Sequence, residues 1–217
     1  MKIKTKKHHC EEKAAMRRCQ VLDAAANCFR RKGYHAASMA EIARESGMSA
    51  GHIYNYFESK EQIIQAFVHR DKEELFDILQ KLQAMPGPLL EGMIERVDYG
   101  IEHNTDLERG ALHLEMMAEA ARNDKVCAVL QAGDEVARSR MHAMLTGPNG
   151  PYSAGECPDL EARIDVMFSL FNGLLIRSLL NPSLNKEAVK AVMQDLIRVL
   201  LGEPIAKNAT KDLEGKA

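Results

Sequence analysis

Apolar positions recur at helical spacing along almost the whole chain, and no stretch alternates with the period of two that marks a half-buried strand. Val21, Leu22, Ala25 and Phe29 share one face and stop at Gly33, which predicts a helix from about Met16 to Lys32. Ile42 and Ala43 mark a short second helix, Ile53 and Phe57 a third at i and i+4. Ile63, Ile64, Phe67, Val68, Leu75, Leu79 and Leu82 then follow on a long helix that ends at Met85-Pro86-Gly87-Pro88. Further helices are predicted over 89–103, 106–122, 124–145, 159–180 and 184–201, with a Pro/Gly-rich loop from Gly147 to Pro158. The expected fold class is all-α, with about nine helices.

The densest run of boundary signals is Ser38 to Lys60. Ser38 and Glu41 have capping-box spacing, so a helix starts there, and Gly47 can close it in the left-handed conformation. Ser49 is the next N-cap, and Ser59 with Gln62 is a third start signal. Two short helices joined by a glycine turn form a helix-turn-helix, whose second helix is the one that enters a DNA major groove. With Ile53 and Phe57 inward, Ala50, Gly51, His52, Tyr54, Asn55 and Tyr56 are left outside. Ser49, His52 and Asn55 can bond base edges or phosphates, the two tyrosines can donate to phosphate oxygens, and Gly51 allows close backbone approach. Ser38 belongs to the same surface, and Lys60, in the first turn of the next helix, is expected to clamp a phosphate.

This stretch, with the helix before it, resembles the DNA-binding domain of the TetR family of bacterial transcriptional regulators. Gly33, Tyr34, Ser38, Ile42, Ala43, Gly47, Ser49, Gly51, Tyr54, Phe57, Lys60, Ile63 and Ile64 carry the resemblance, while His52 and Ile53 stand where Thr and Leu are common. The resemblance covers about the first third of the chain. It implies an N-terminal three-helix DNA-binding domain followed by a helical ligand-binding and dimerisation domain, with dimerisation through a four-helix bundle of the last two helices.

Charge sharpens the division. The net charge of -2 conceals 12 Lys and Arg against 6 Asp and Glu in residues 1–60, so the N-terminal part is basic and the rest acidic. That split suits a phosphate-binding head whose affinity falls with salt. The expected organisation is a basic flexible arm over 1–12, the helix-turn-helix domain over 13–60, the helical body over 61–204 and a disordered tail over 205–217. With no signal peptide and no apolar run approaching a membrane span of roughly 20 residues, the expected location is cytoplasmic, without membrane contact.

The predicted helices over 159–180 and 184–201 are apolar on more than one face and need cover from a second copy of the chain. Leu170, Gly173, Leu174, Arg177, Val192, Leu196 and Val199 are the expected dimer contacts. Twelve methionines, many in the body, suggest an adaptable apolar pocket. Its candidate lining is Met93, Tyr99, His113, Met116, Met117, Glu119, Met141, Met144, Met167, Phe168 and Phe171. Glu115 and Glu119, at i and i+4, either hold a cationic ligand or pair with Arg122 or Arg177.

Neither catalytic nor metal chemistry is expected. Cys10, Cys19 and Cys28 recur every nine residues, so Cys19 and Cys28 face opposite sides of one helix, and no pair of cysteines has zinc-ligand spacing. No nucleophile elbow, phosphate loop, zinc-protease helix or dinucleotide fingerprint occurs. The expected function is a dimeric repressor that binds a palindromic operator in double-stranded DNA, released by a small apolar or cationic inducer and using no cofactor. A DNA-binding regulator without small-molecule input, and an interaction module or enzyme reusing the fold, are the alternatives.

Overall fold

Each boundary in the helix-turn-helix stretch is set by a specific hydrogen bond. The computed structural model describes residues 2–153 and 157–202, with side chains from residue 12 onward. Ten helices occur among the described residues, and no strand. The first four are α1 (Lys2–Lys32), α2 (Met39–Glu45), α3 (Ala50–Ile53) and α4 (Lys60–Gln83). The capping box forms as expected: Ser38 Oγ accepts from the Glu41 N–H at 3.2 Å, and Glu41 accepts from the Ser38 N–H at 3.2 Å. Gly33 and Gly47 end α1 and α2 at φ 82° and 68°, a region where a Cβ is strained. At the start of α4, Ser59 Oγ accepts from the Gln62 N–H at 3.3 Å, but Gln62 reaches back to the Glu58 N–H instead of completing a box with Ser59.

Helix α1 is longer than its apolar stripe. The segment expected as a flexible arm, 1–12, is helical from Lys2, and its lysines and glutamates are good helix formers; the side chains of 1–11 lie outside the described residues. The tail expected over 205–217 also lies outside them.

The body continues with α5 (Leu89–Glu95), α6 (Val97–Asn104), α7 (Leu107–Ala120), α8 (Asp124–Thr146), α9 (Leu160–Leu180) and α10 (Lys186–Gly202). The single helix expected over 89–103 is two, broken at Arg96, whose φ of -105° and ψ of 20° leave the helical region. The break keeps Met93, Ile94, Val97 and Ile101 all buried, so the apolar pattern carried no trace of it.

The chain divides into two compact units, Met1–Phe76 with Asp106–Ala137, and Asp77–Thr105 with Arg138–Ala217. This differs from the expected boundary at residue 60. The reason is a shared core: Leu112 and Met116 of α7 and Val126 of α8 join Val21, Phe29, Ile42, Ile53, Phe57, Ile64 and Phe67 in one buried cluster. Phe29 sits at its centre, its ring 5.2 Å from Tyr34 and 6.3 Å from Phe67. Full burial of each such side chain contributes about 1.5–3 kcal/mol. The helix-turn-helix thus depends on helices far along the chain.

The second unit has its own core, including Met93, Ile101, Met141, Met144, Ile164, Met167, Met193 and Ile197. Arg163, only 2% exposed, pairs with Asp159 at 3.0 Å and donates to the Leu200 carbonyl, while Tyr152 donates to the Leu201 carbonyl at 3.0 Å. Both bonds satisfy carbonyls that the end of α10 leaves without helical partners.

Candidate nucleic-acid interface

Two anchors hold α3 against the first unit. Ile53 and Phe57 are both 0% exposed, and Ser49 Oγ caps the helix by accepting from the His52 N–H at 3.2 Å. Most of the side chains around the anchors face out. Ser49, Ala50, Gly51, His52, Tyr54 and Asn55 are exposed, Tyr54 at 53%. This places a hydroxyl, an imidazole, a phenol and a carboxamide on one nearly uncharged ridge, a donor and acceptor set that suits base edges and phosphate oxygens.

Tyr56 was expected on this ridge, and its position differs. It is half-buried and packs against the core, its ring 5.5 Å from that of His52. The residue after it, Phe57, is an anchor, so the turn that carries Phe57 inward draws Tyr56 partway with it.

Lys60 is also placed differently. Its ammonium donates to the Tyr34 carbonyl at 2.5 Å and the His35 carbonyl at 3.3 Å, and sits 4.3 Å above the Tyr34 ring. Burial pulls its pKa below the usual lysine value, with the Glu119 and Glu61 charges acting the other way. The cation closes the α1–α2 turn instead of projecting toward a ligand. Ser38 is exposed, with its hydroxyl engaged in the cap of α2.

One contributor had no signal in the sequence pattern. Arg18 of α1 donates to the Tyr56 carbonyl at 2.7 Å and lies 4.3 Å over the Phe57 ring. A charged residue on an exposed helical face looks like any solvated position until the backbone of another element is brought beside it.

Several of the expected pocket residues are buried, and others are exposed. Met93, Met141, Met144 and Met167 are core residues of the second unit, and Tyr99 and Met117 are exposed at 41% and 46%. Phe168 and Phe171 are half-buried, and Phe171 lies against the α6 backbone at Gly100. His113 and Met116 border a cleft of about 330 Å³ formed within the first unit by α1, α4 and α7. Its walls are polar, and its arginines bond neighbouring groups: Arg109 to Asp71 at 2.7 Å and Glu74 at 2.5 Å, Arg30 to Asn27 at 2.5 Å, Arg70 to Asp23 at 3.7 Å. Burial is the main cause lowering the His113 pKa, so its neutral form is favoured.

The acidic pair of α7 has structural partners. Glu119, 5% exposed, accepts from Asn123 at 2.9 Å and pairs with Arg122 at 3.2 Å. Glu115 accepts the Tyr34 N–H at 2.6 Å. Of the expected dimer contacts, Val192, Leu196 and Val199 are exposed at 59%, 40% and 68%, Arg177 is exposed, and Leu170, Gly173 and Leu174 are half-buried.

Cys28 is buried and donates to Glu45 at 3.3 Å; burial first, then Glu45, pushes its thiol up to about 11. Among the described residues no group of three His, Cys, Asp or Glu could hold a metal ion, and no helix is long and apolar enough to cross a membrane.

Residues 21–67, which include the whole of this ridge, match the family described as "Bacterial regulatory proteins, tetR family". The chain is 37% identical over 119 residues to the HTH-type transcriptional regulator UidR of Escherichia coli (strain K12), covering 52% of this chain and 57% of that protein. It therefore spans little more than half the length of that relative. The HTH-type transcriptional repressor Rv1474c of Mycobacterium tuberculosis is 26% identical over 176 residues, covering 72% of this chain and 94% of its own. Among solved structures, Salmonella enterica GusR superposes with a TM-score of 0.70 at 26% identity, over 86% of this chain and 96% of that one. The fatty acid degradation regulator FadR from Bacillus halodurans shares the fold, with a TM-score of 0.61 at 18% identity over 85% of this chain and 94% of that one. The matched N-terminal segment, relatives named as transcriptional regulators and a common all-helical architecture agree: over residues 21–67 the chain is similar to the tetR family of bacterial regulatory proteins.

Proposed function

We propose that this protein is a cytoplasmic, dimeric transcriptional regulator, a repressor that reads a palindromic operator with α3 and is released by a small molecule. The observation that carries the reading is the exposed, nearly uncharged ridge of Ser49, His52, Tyr54 and Asn55 beside the fully buried anchors Ile53 and Phe57. An idle surface helix gains nothing from an outward tyrosine, histidine and asparagine. A groove-reading helix needs such groups, because base edges are told apart by hydrogen bonds and phosphates are met by hydroxyls.

Dimerisation is supported by α9 and α10. Val166, Ile176 and Leu180 of α9, with Val192 and Val199 of α10, are each between 48% and 71% exposed, and a Cβ at Gly173 would meet nothing within 4 Å. A second copy covering that face presents α3 twice, and two half-sites about 34–36 Å apart, or a multiple of this, then match the two-fold symmetry of a palindrome.

Release by a ligand acts through α4. Its residues up to Phe76 belong to the first compact unit and those from Asp77 to the second, on one unbroken helix. A compound that favours a displaced α4 moves the reading helices out of register, and needs only a few kcal/mol of preference for the released form. The inducer class proposed is a bulky apolar or cationic compound. Sequence selection from random duplexes, followed by titration of the selected DNA at two salt concentrations, tests the reading. Salt-sensitive binding lost in Tyr54→Ala is expected; indifference to that substitution overturns it.

A further inference from the structure

Helix α7 lies outside the matched segment 21–67, yet one of its side chains grips the turn between α1 and α2. Glu115 Oε1 accepts the backbone N–H of Tyr34 at 2.6 Å. On the other side of the same residue, the Lys60 ammonium of α4 takes the Tyr34 carbonyl at 2.5 Å and covers its ring at 4.3 Å. Both bonds join an ionised group to a backbone dipole, the stronger class of hydrogen bond. Gly33 makes the approach possible. It turns the chain at φ +82°, and a Cβ there would lie 3.1 Å from Glu115 Oε1. The ring of Tyr34 in turn lies tilted 5.2 Å from Phe29, within the core that anchors Ile53 and Phe57.

We infer that Glu115 is a positioning residue for DNA binding: through Tyr34 it holds the α1–α2 turn, and with it the seat of the reading helix, in the conformation that fits the groove. The inference rests on the DNA-binding reading above. It assigns to α7 a role in setting operator affinity, with Lys60 as the opposing half of the clamp and no part for Glu115 in touching DNA.

Electrostatics makes the prediction sharp in sign. Removing a carboxylate from a protein that binds a polyanion ordinarily strengthens binding. Here its removal weakens binding. The experiment uses the full-length protein and a palindromic duplex selected by the unsubstituted chain, with Tyr34 amide exchange followed in parallel by NMR. Glu115→Ala is expected to weaken affinity about tenfold, the equivalent of ~1.4 kcal/mol, and to speed exchange of the Tyr34 amide. Glu115→Gln keeps an acceptor of the same reach and restores most of both. Glu115→Asp keeps the charge, falls short by one methylene and behaves like the alanine variant, which covers the case in which Glu115→Ala does not fold. Glu108→Ala, on the same helix, removes the same charge from an 82% exposed side chain and leaves binding unchanged or tighter.

Equal binding by the Asp and Gln variants, or a Tyr34 amide indifferent to both, overturns the inference. Failure of the unsubstituted protein to select any duplex overturns the DNA-binding reading instead, and the amide exchange then judges the clamp by itself.

Discussion

The ring of Phe171 on α9 lies against the bare backbone of Gly100 on α6: a Cβ built on the glycine would fall 2.4 Å from Phe171 Cε1. No side chain fits there without moving the ring. Gly100→Ala is therefore expected to destabilise the protein by about 1–3 kcal/mol, as overpacking does, despite the higher helix propensity of alanine. Urea denaturation measures it.

Replacing Asn55 or His52 by alanine removes a side chain that faces out. Each is expected to cost about 1–3 kcal/mol of binding to the selected duplex and to relax preference at one or two base pairs, with the salt dependence unchanged. Titrations against single-base variants of that duplex decide it. A loss of the same size on every sequence would place these residues on the phosphate backbone.

Lys60 offers the opposite signature to a phosphate clamp. Its ammonium is held by the carbonyls of Tyr34 and His35. Lys60→Met should weaken DNA binding while leaving the slope of log affinity against log salt where it was. A phosphate contact would instead lower that slope by about 0.9.

Acid should loosen the helix-turn-helix through Glu41. The hydrogen bond from Lys32, then that from the Ser38 N–H, holds the Glu41 carboxyl down at about 2, against an ordinary 4.5. The unfolded chain therefore takes up this proton at higher pH than the folded one. The contribution is complete above about pH 4.5 and is lost as pH falls toward 2. Glu41→Gln should flatten that part of the stability profile, read by thermal unfolding at a series of pH values.

The exposed apolar face of α9 and α10 is expected to be the dimer contact. Val192→Glu combined with Val199→Glu places two carboxylates on it, and the chain should then sediment as a monomer at concentrations where the unsubstituted protein is a dimer. A dimer that persists unchanged would put the contact elsewhere.

Most of what the helix-turn-helix is was legible in the residue order. Ser38, Glu41, Gly47 and Ser49 act through hydrogen bonds and backbone angles that span four residues or fewer, so local pattern suffices to see them. Ile53 and Phe57 were legible as anchors because helical periodicity alone puts them on one face. The break at Arg96 was not legible, since the buried stripe continues through it.

Tertiary packing decided the rest, because it depends on which distant groups become neighbours. Periodicity marks Met93, Met141, Met144 and Met167 as inward, and the fold buries all four. Lys60 has the same charge whether it meets a phosphate or the Tyr34 carbonyl, and only the folded α1–α2 turn directs it to the latter. Glu115 lies 81 residues from the amide it holds. No local spacing rule reaches that far, so the residue order determined a short capped helix with an outward polar ridge, while the fold alone determined which side chains hold that helix in place.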